Sequence, residues 1–120
     1  MAHDHKKAHR WGHVAEYLCM LWLVCKGYSI LERRHRNRGG EIDLIAARGR
    51  VIAFVEVKAR ADSAAALESV TADKRRRLAR AAEAYVASHP RFAQHGLRFD
   101  VMMVTSPWNI HHLKDAWRGE

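Results

Sequence analysis

The chain has 120 residues, which is enough for one domain of ordinary size and too short for a second hydrophobic core. Its 21 Lys and Arg residues outnumber its 13 Asp and Glu residues, and the net charge of +8 is typical of a protein that meets a polyanion such as nucleic acid. The longest apolar run, residues 17–25, falls far short of the roughly 20 residues of a membrane span, so we expect no membrane association.

The N-terminal part of the chain predicts an arm followed by a helix. Residues 1–10 are polar, basic and rich in histidine, and we interpret them as a flexible arm that precedes a single domain over residues 11–120. A deeply packed helix is predicted from about residue 12 to residue 26, where it ends before Gly27. The apolar residues that recur at helical spacing are Val14, Leu18, Leu21, Trp22 and Cys25.

The two cysteines, Cys19 and Cys25, both lie in this predicted helix. Six residues separate them, which places them on different faces, so a disulfide between them is not expected. We interpret both as buried thiols of a protein in a reducing compartment, and we expect a cytoplasmic location.

The remainder of the chain predicts strands on either side of a second helix. The basic segment RRHRNRGG, residues 33–40, is interpreted as a loop, and the helix is predicted to break near residues 69–71. The predicted strands cover residues 28–33, 41–47, 51–57 and 97–105, the helix covers about 64–88, and the tail from Pro107 carries a short strand and a turn. This order predicts a mixed α/β domain with a small central sheet flanked by helices.

Three charged residues interrupt the two strands of the predicted hairpin. If Arg48 and Val51 flank its turn, Asp43 lies opposite Glu56, and strand alternation places Lys58 on the same face as Glu56. Two opposed carboxylates repel each other, and a hard divalent cation removes that penalty because it takes several oxygen ligands. A structural charge cluster, in which Lys58 bridges two surface carboxylates, is the alternative interpretation.

The same motifs, in this order, resemble the YraN-like family of small bacterial proteins in the PD-(D/E)xK nuclease superfamily. The segments that carry the resemblance are Gly12 with Glu16, Gly27-Tyr28 with Ile30-Leu31, Arg36 with residues 40–46, and residues 54–58 with Arg60. Two positions depart from the family pattern, because Ala15 replaces a glycine and alanines at 64–66 replace a Phe-Gly pair.

The resemblance implies a restriction-endonuclease-like core of order α-β-β-β-α-β. It implies catalytic roles for Asp43, Glu56 and Lys58, and Mg²⁺ or Mn²⁺ held by Asp43, Glu56, Glu16 and the Val57 carbonyl. Lys58 would then orient or deprotonate the attacking water. The predicted function is a metal-dependent endonuclease acting on DNA, with branched or damaged DNA as the substrate suggested by the superfamily.

Two runs of basic residues predict the surface that would contact nucleic acid. The predicted contact residues are Arg33, Arg34, Arg36 and Arg38 in the first run, Lys74, Arg75, Arg76 and Arg77 in the second, and Arg60 between them. Such side chains give salt-sensitive, sequence-independent affinity for phosphates. Two alternatives stay open: a non-catalytic nucleic-acid-binding module with the same fold, and an interaction protein that forms a homodimer through its Trp-rich tail.

Overall fold

The chain folds into one mixed sheet with a helix on each face. The computed structural model describes residues 2–59 and 69–117, with side chains from residue 10 onwards. The elements are α1 (Ala2–Cys25), β1 (Ser29–Asn37), β2 (Gly40–Arg48), β3 (Val51–Lys58), α2 (Ala72–Ala87), a 3₁₀ turn (Pro90–Phe92), β4 (Gly96–Ser106) and β5 (Asn109–Trp117). The five strands lie in the order β1-β2-β3-β4-β5, with β3 and β4 parallel and the other neighbours antiparallel. The predicted α/β core is confirmed, and β5 completes the sheet beside β4.

The two faces of the sheet carry separate hydrophobic cores. On one face, Ala15, Cys19 and Leu23 of α1 pack against the central strands. On the other, Leu78 and Tyr85 of α2 pack against the sheet together with two buried alanines. Small side chains in both helices bring the helix backbones close to the strands, and their spacing of three or four residues is that of a helix face.

Helix α1 differs from its prediction in length and in the face that it buries. It begins at Ala2, because residues 2–10 contain no proline or glycine and extend a helix that is already nucleated. The segment interpreted as an arm is therefore helical. The prediction that both cysteines are buried is wrong for Cys25, which is exposed in the last turn, whereas Cys19 is buried.

The end of α1 follows the prediction at Gly27. The Tyr28 N–H donates to the Leu23 carbonyl and the Gly27 N–H to the Val24 carbonyl, which together form a Schellman ending. Gly27 has a φ of +91°, a conformation that glycine adopts without steric cost. This sharp ending directs the chain straight into β1.

Strand β1 continues through most of the segment that was predicted to be a loop. Its pairing with β2 extends to Asn37, so the arginines of this segment are on an edge strand and not in a loop. One residue interrupts the extended backbone: Arg34 has a φ of +54°. Asp115 in the opposite edge strand β5 is similar, with a φ of +53°.

The turn between β1 and β2 is fixed against helix α2. Asn37 donates from Nδ2 to the Ala81 carbonyl at 2.9 Å and accepts at Oδ1 from the Gly39 N–H at 2.8 Å. A Cβ on Gly39 would lie 2.5 Å from the backbone nitrogen of Ala81, so only glycine permits this approach. The turn and the helix therefore present their basic side chains in a fixed relative position.

The hairpin of β2 and β3 has the predicted register. Arg48 pairs with Val51 and Leu44 with Val55, so the turn consists of the two residues between Arg48 and Val51. Within the described part of the chain, no helix combines the length and apolarity that a membrane crossing requires.

Candidate functional site

The two strands of the hairpin separate at the end that carries the predicted acidic residues. Regular pairing stops at Leu44 and Val55, one position before Asp43 and Glu56 would face each other. Beyond this point a side chain replaces the backbone as the hydrogen-bond acceptor. Asp43 Oδ2 accepts a hydrogen bond of 2.9 Å from the Val57 N–H. The side chain of Asp43 is thereby held at the opening between the strands.

The backbone of β2 is irregular around Asp43. Ile42 and Ile45 belong to the same core although three positions separate them, while Leu44 points to the other face. Strict alternation would place Ile42 with Leu44. The irregularity coincides with the positive φ of Arg34, which lies on the neighbouring strand between the partners of Leu44 and Ile42. Departures of this kind cluster at functional sites.

The environment of Asp43 opposes its ionisation. Burial and the nearby charge of Glu56 raise the pKa of Asp43 from an ordinary 3.8 to about 7, although the Val57 N–H and Lys74 act in the opposite direction. A cation that offsets the repulsion by Glu56 would therefore stabilise the ionised form of Asp43.

Glu56 lies between two lysines. Its side chain is only 7% exposed, and its Oε1 is 2.7 Å from Lys74 Nζ and 3.5 Å from Lys58 Nζ. Burial and the hydrogen bond with Lys74 lower the pKa of Lys58, while Glu56 partly restores it. The side chains of Asp43, Glu56 and Lys58 thus converge, and Lys74 joins them from α2.

Glu16 approaches the same region from α1 but is engaged elsewhere. Its Oε1 accepts a hydrogen bond of 2.9 Å from Arg34 Nε. Burial raises the pKa of Glu16, Arg33 lowers it, and Glu41 raises it further.

Burial, with smaller effects of Asp43 and Glu16, also raises the pKa of the Cys19 thiol to about 12, so this cysteine is a protonated core residue and not a nucleophile.

The donor set at the hairpin opening fits a hard divalent cation in its chemistry. Asp43 and Glu56 offer carboxylate oxygens, which Mg²⁺ and Mn²⁺ prefer. In residues 10–59 and 69–117, no group of three or more His, Cys, Asp or Glu side chains is arranged to hold a metal ion. The predicted ligand Glu16 is paired with Arg34, so a bound cation would depend on these two carboxylates together with backbone, water or substrate oxygens.

Most of the predicted nucleic-acid-binding residues have protein partners. Arg33 lies over the Tyr17 ring, Arg34 binds Glu16, Arg36 binds Glu41, Lys74 binds Glu56, Arg75 donates to the Val70 carbonyl, and Arg76 binds Asp73. Arg60 lies outside the described residues. Of the residues predicted to contact nucleic acid, Arg38 and Arg77 form no ion pair, side-chain hydrogen bond or cation–π contact with other described residues.

Two clefts flank the β1–β2 turn where it meets α2. The first, of about 580 Å³, is lined by Lys74, Arg77, Gly40 and Glu41 among others. The second, of about 420 Å³, lies between Arg38 and Arg80. We name Arg38, Arg77 and Arg80 the basic ridge. The contact between Gly39 and Ala81 fixes the backbone of the turn that carries Arg38 against the helix that carries Arg77 and Arg80.

Two features of the structure were not anticipated from the sequence. Lys74 was predicted to contact phosphate and contacts Glu56 instead. A sequence signal for such a contact is the position of this lysine in the first turn of a helix, where the helix dipole disfavours a cation that has no acidic partner. Asp100 forms a buried network: Arg98 and His112 donate to it at 2.8 Å, and the Asp115 N–H at 3.0 Å.

A mixed sheet between two helices, with carboxylates and a lysine at the opening of its central hairpin, is the architecture of a restriction-endonuclease-like domain. The family model described as "Uncharacterised protein family UPF0102" matches residues 15–104, and the chain belongs to that family. This confirms the resemblance that the motifs indicated.

Bacterial relatives match along nearly the whole chain. A UPF0102 protein of Paramagnetospirillum magneticum is 49% identical over 119 residues, covering 95% of this chain and 92% of the relative. One from Methylocella silvestris is 51% identical over 115 residues, with 94% and 92% covered. One from Parvibaculum lavamentivorans is 46% identical over 111 residues, with 92% and 84% covered.

Proposed function

We propose that this protein is a metal-dependent endonuclease that hydrolyses phosphodiester bonds in DNA, with branched or damaged DNA as its substrate class. The observation that carries the proposal is the convergence of Asp43, Glu56 and Lys58 where β2 and β3 separate. We also propose a cytoplasmic location, because both cysteines are free thiols, as is usual for proteins of reducing compartments.

Each residue of the site has a role in this proposal. Asp43 and Glu56 hold Mg²⁺ or Mn²⁺, with the Val57 carbonyl as a further ligand, and Glu16 contributes from α1 if it releases Arg34. The cation, when bound, lowers the pKa of water and stabilises charge on phosphate. Lys58 orients the attacking water or accepts its proton, and the lowered pKa of Lys58 favours the neutral amine that proton acceptance requires.

Replacing Lys58 with alanine should abolish most cleavage and spare cation binding. We expect cleavage of branched DNA with Mn²⁺ to fall by about 100-fold or more, because general acid–base groups contribute about that much. Mn²⁺ affinity, measured by calorimetry, should not fall, since the lysine side chain is not a ligand and its removal takes a positive charge away from Glu56. Activity assays on single-stranded, duplex and branched DNA decide the substrate class in the same experiment.

The control for this experiment is Lys114→Ala, which removes an exposed lysine from edge strand β5. It should cleave at the wild-type rate. Cleavage by Lys58→Ala at the rate of Lys114→Ala would refute the role of Lys58, and absence of cleavage by the wild type on all three substrates would refute the nuclease.

A non-catalytic nucleic-acid-binding module is the second candidate function. The observation that favours it is that Glu56 is already neutralised by Lys58 and Lys74, and Glu16 by Arg34. Such a module would bind DNA with a steep salt dependence that chelators do not alter, and it would cleave none of the substrates.

The basic ridge should supply the phosphate contacts in either case. The double variant Arg38→Gln/Arg77→Gln should bind duplex DNA about 10-fold or more weakly and reduce the slope of log affinity against log salt by about 2, one for each lost contact. Fluorescence anisotropy across a salt series measures both quantities.

Arg36→Gln/Arg76→Gln is the matched control, because it removes two arginines from nearby positions, one at the end of β1 beside the turn that carries Arg38 and one from α2. Both of its arginines are paired with carboxylates, so their replacement should alter the slope by less than 1. Equal losses in the two double variants would show that overall charge, and not the basic ridge, determines binding.

A further inference from the structure

The cation nearest to Glu56 comes from helix α2 and not from the β3 strand. Lys74 Nζ lies 2.7 Å from Glu56 Oε1, compared with 3.5 Å for Lys58 Nζ. Both lysine nitrogens approach that one oxygen. In the metal-free protein the charge of Glu56 is therefore balanced by the chain itself.

The position of Lys74 is set by the start of its helix. Thr71 is the N-cap, and its Oγ1 accepts a hydrogen bond of 3.3 Å from the Lys74 N–H. Lysine in a first turn is disfavoured because the helix dipole presents positive charge there. The contact with Glu56 compensates for that cost, which explains why a cation occupies this position.

A divalent cation and Lys74 compete for the same carboxylate. A cation bound by Glu56 would lie within a few ångströms of the ammonium, and like charges at such a distance repel strongly in a partly buried site. The ammonium must move away before or as the cation binds.

We propose that Lys74 is a resident counter-cation that holds Glu56 in the metal-free protein and must release it when a divalent cation binds. The inference rests on the proposed metal-dependent function. Lys74 stabilises the carboxylate pair when no metal is present and lowers the affinity of the site for metal.

The cleft beside α2 can accommodate the displaced Lys74 side chain. This side chain is 39% exposed and lines the cleft of about 580 Å³ beside Arg77. An ammonium turned into this cleft would face a DNA phosphate bound by the basic ridge. Substrate binding would therefore favour the same movement of Lys74 that metal binding requires, so the two ligands would assist each other.

The test compares Mn²⁺ binding by the wild type, Lys74→Gln and Arg77→Gln. Calorimetry at about pH 8, above the pKa of about 7 of Asp43, keeps the Asp43 carboxylate ionised. Arg77→Gln is the matched control because it removes the same charge one turn along α2 from a residue that forms no ion pair with the described residues. Thermal melting in EDTA is the second measurement, and it requires neither metal nor activity.

Lys74→Gln should bind Mn²⁺ about 10-fold or more tightly than wild type. It should also melt at a lower temperature in EDTA, because the carboxylates lose their neutralising partner. Arg77→Gln should match wild type in both measurements, within about twofold in affinity.

The measurements distinguish the metal site from the counter-cation role of Lys74. If wild type binds Mn²⁺ and Lys74→Gln binds it no more tightly than Arg77→Gln, the counter-cation role is overturned while the metal site stands. If neither wild type nor Lys74→Gln binds Mn²⁺, the metal site and the counter-cation role are both overturned. Binding by Lys74→Gln alone would support both.

Discussion

Asp100→Ala should lower the free energy of unfolding by about 3–5 kcal/mol, because it leaves a largely buried guanidinium without its partner. Asp100 is fully buried and accepts four hydrogen bonds, from two Arg98 nitrogens, His112 and the Asp115 backbone. Arg98 also donates to the Tyr28 hydroxyl at 2.5 Å, so the network joins β4 and β5 to the start of β1. Urea denaturation of the two proteins measures the difference.

Asp73→Ala is the control for this prediction, since it removes an aspartate whose partner Arg76 is exposed at the surface. It should cost less than about 1 kcal/mol. An equal cost for the two variants would show that the buried network contributes no more than a surface ion pair.

The contribution of Asp100 should also disappear in acid. Burial tends to raise the pKa of Asp100, but hydrogen bonds from His112, Arg98 and the Asp115 N–H lower it below its ordinary value. A depressed pKa in the folded state means that the stabilisation is present above the ordinary pKa of about 3.9 and is lost as the pH falls through the folded value. The wild type should therefore lose its advantage over Asp100→Ala below about pH 4.

Asp43→Asn should remove the stabilisation of the protein by Mn²⁺ and should not destabilise the metal-free protein. Asparagine can still accept the hydrogen bond from Val57, and it relieves the repulsion by Glu56. At 100-fold excess over its Kd, Mn²⁺ should stabilise the wild type by about 2.7 kcal/mol. Thermal melts with EDTA and with Mn²⁺ measure both effects, and Asp73→Asn should gain as much from Mn²⁺ as the wild type does.

The stability difference in EDTA should depend on pH with a defined sign. Because the pKa of Asp43 is raised from 3.8 to about 7, the folded protein holds this proton more tightly than the unfolded chain does. Wild type should lose stability relative to Asp43→Asn as the pH rises between about 4 and 7, by up to about 4 kcal/mol. Equal gains from Mn²⁺ in both proteins would exclude Asp43 as a ligand, and a large loss for the variant in EDTA would favour a structural role for this carboxylate.

The register of the central hairpin could be predicted from the sequence because neighbouring residues in the chain determine it. A two-residue turn fixes the register of the strands that it joins, and alternation then relates Glu56 to Lys58. The separation of the strands beyond Leu44 could not be predicted in this way. It depends on the Asp43 contact with Val57 and on the backbone of Arg34 in another strand.

The buried face of α1 was harder to predict, because the predicted helical stretch from about residue 12 to residue 26 is apolar on most sides. The sequence favoured Val14 and Leu21, yet these are 46% and 62% exposed, and the sheet is contacted by Ala15 and Cys19. Hydrophobicity alone cannot select between such faces, whereas the close approach of a helix to a sheet selects small side chains.

The contact of Lys74 with Glu56 could not be predicted from the sequence either. A run of basic residues on a helix indicates a polyanion surface, and Lys74 differs from Arg75, Arg76 and Arg77 only in being a lysine and in lying in the first turn. The crossover from β3 through α2 brings that turn to Glu56, and this is a tertiary contact between distant parts of the chain.

The left-handed residues in the two outer strands affect how copies of this protein can meet. Arg34 interrupts β1 and Asp115 interrupts β5, so neither side of the sheet offers a long straight row of unpaired backbone donors and acceptors. Edge-to-edge addition of a second chain, the first step toward a continuous intermolecular sheet, is therefore hindered at both ends. We therefore expect association between copies to proceed through side-chain contacts rather than through backbone pairing of edge strands.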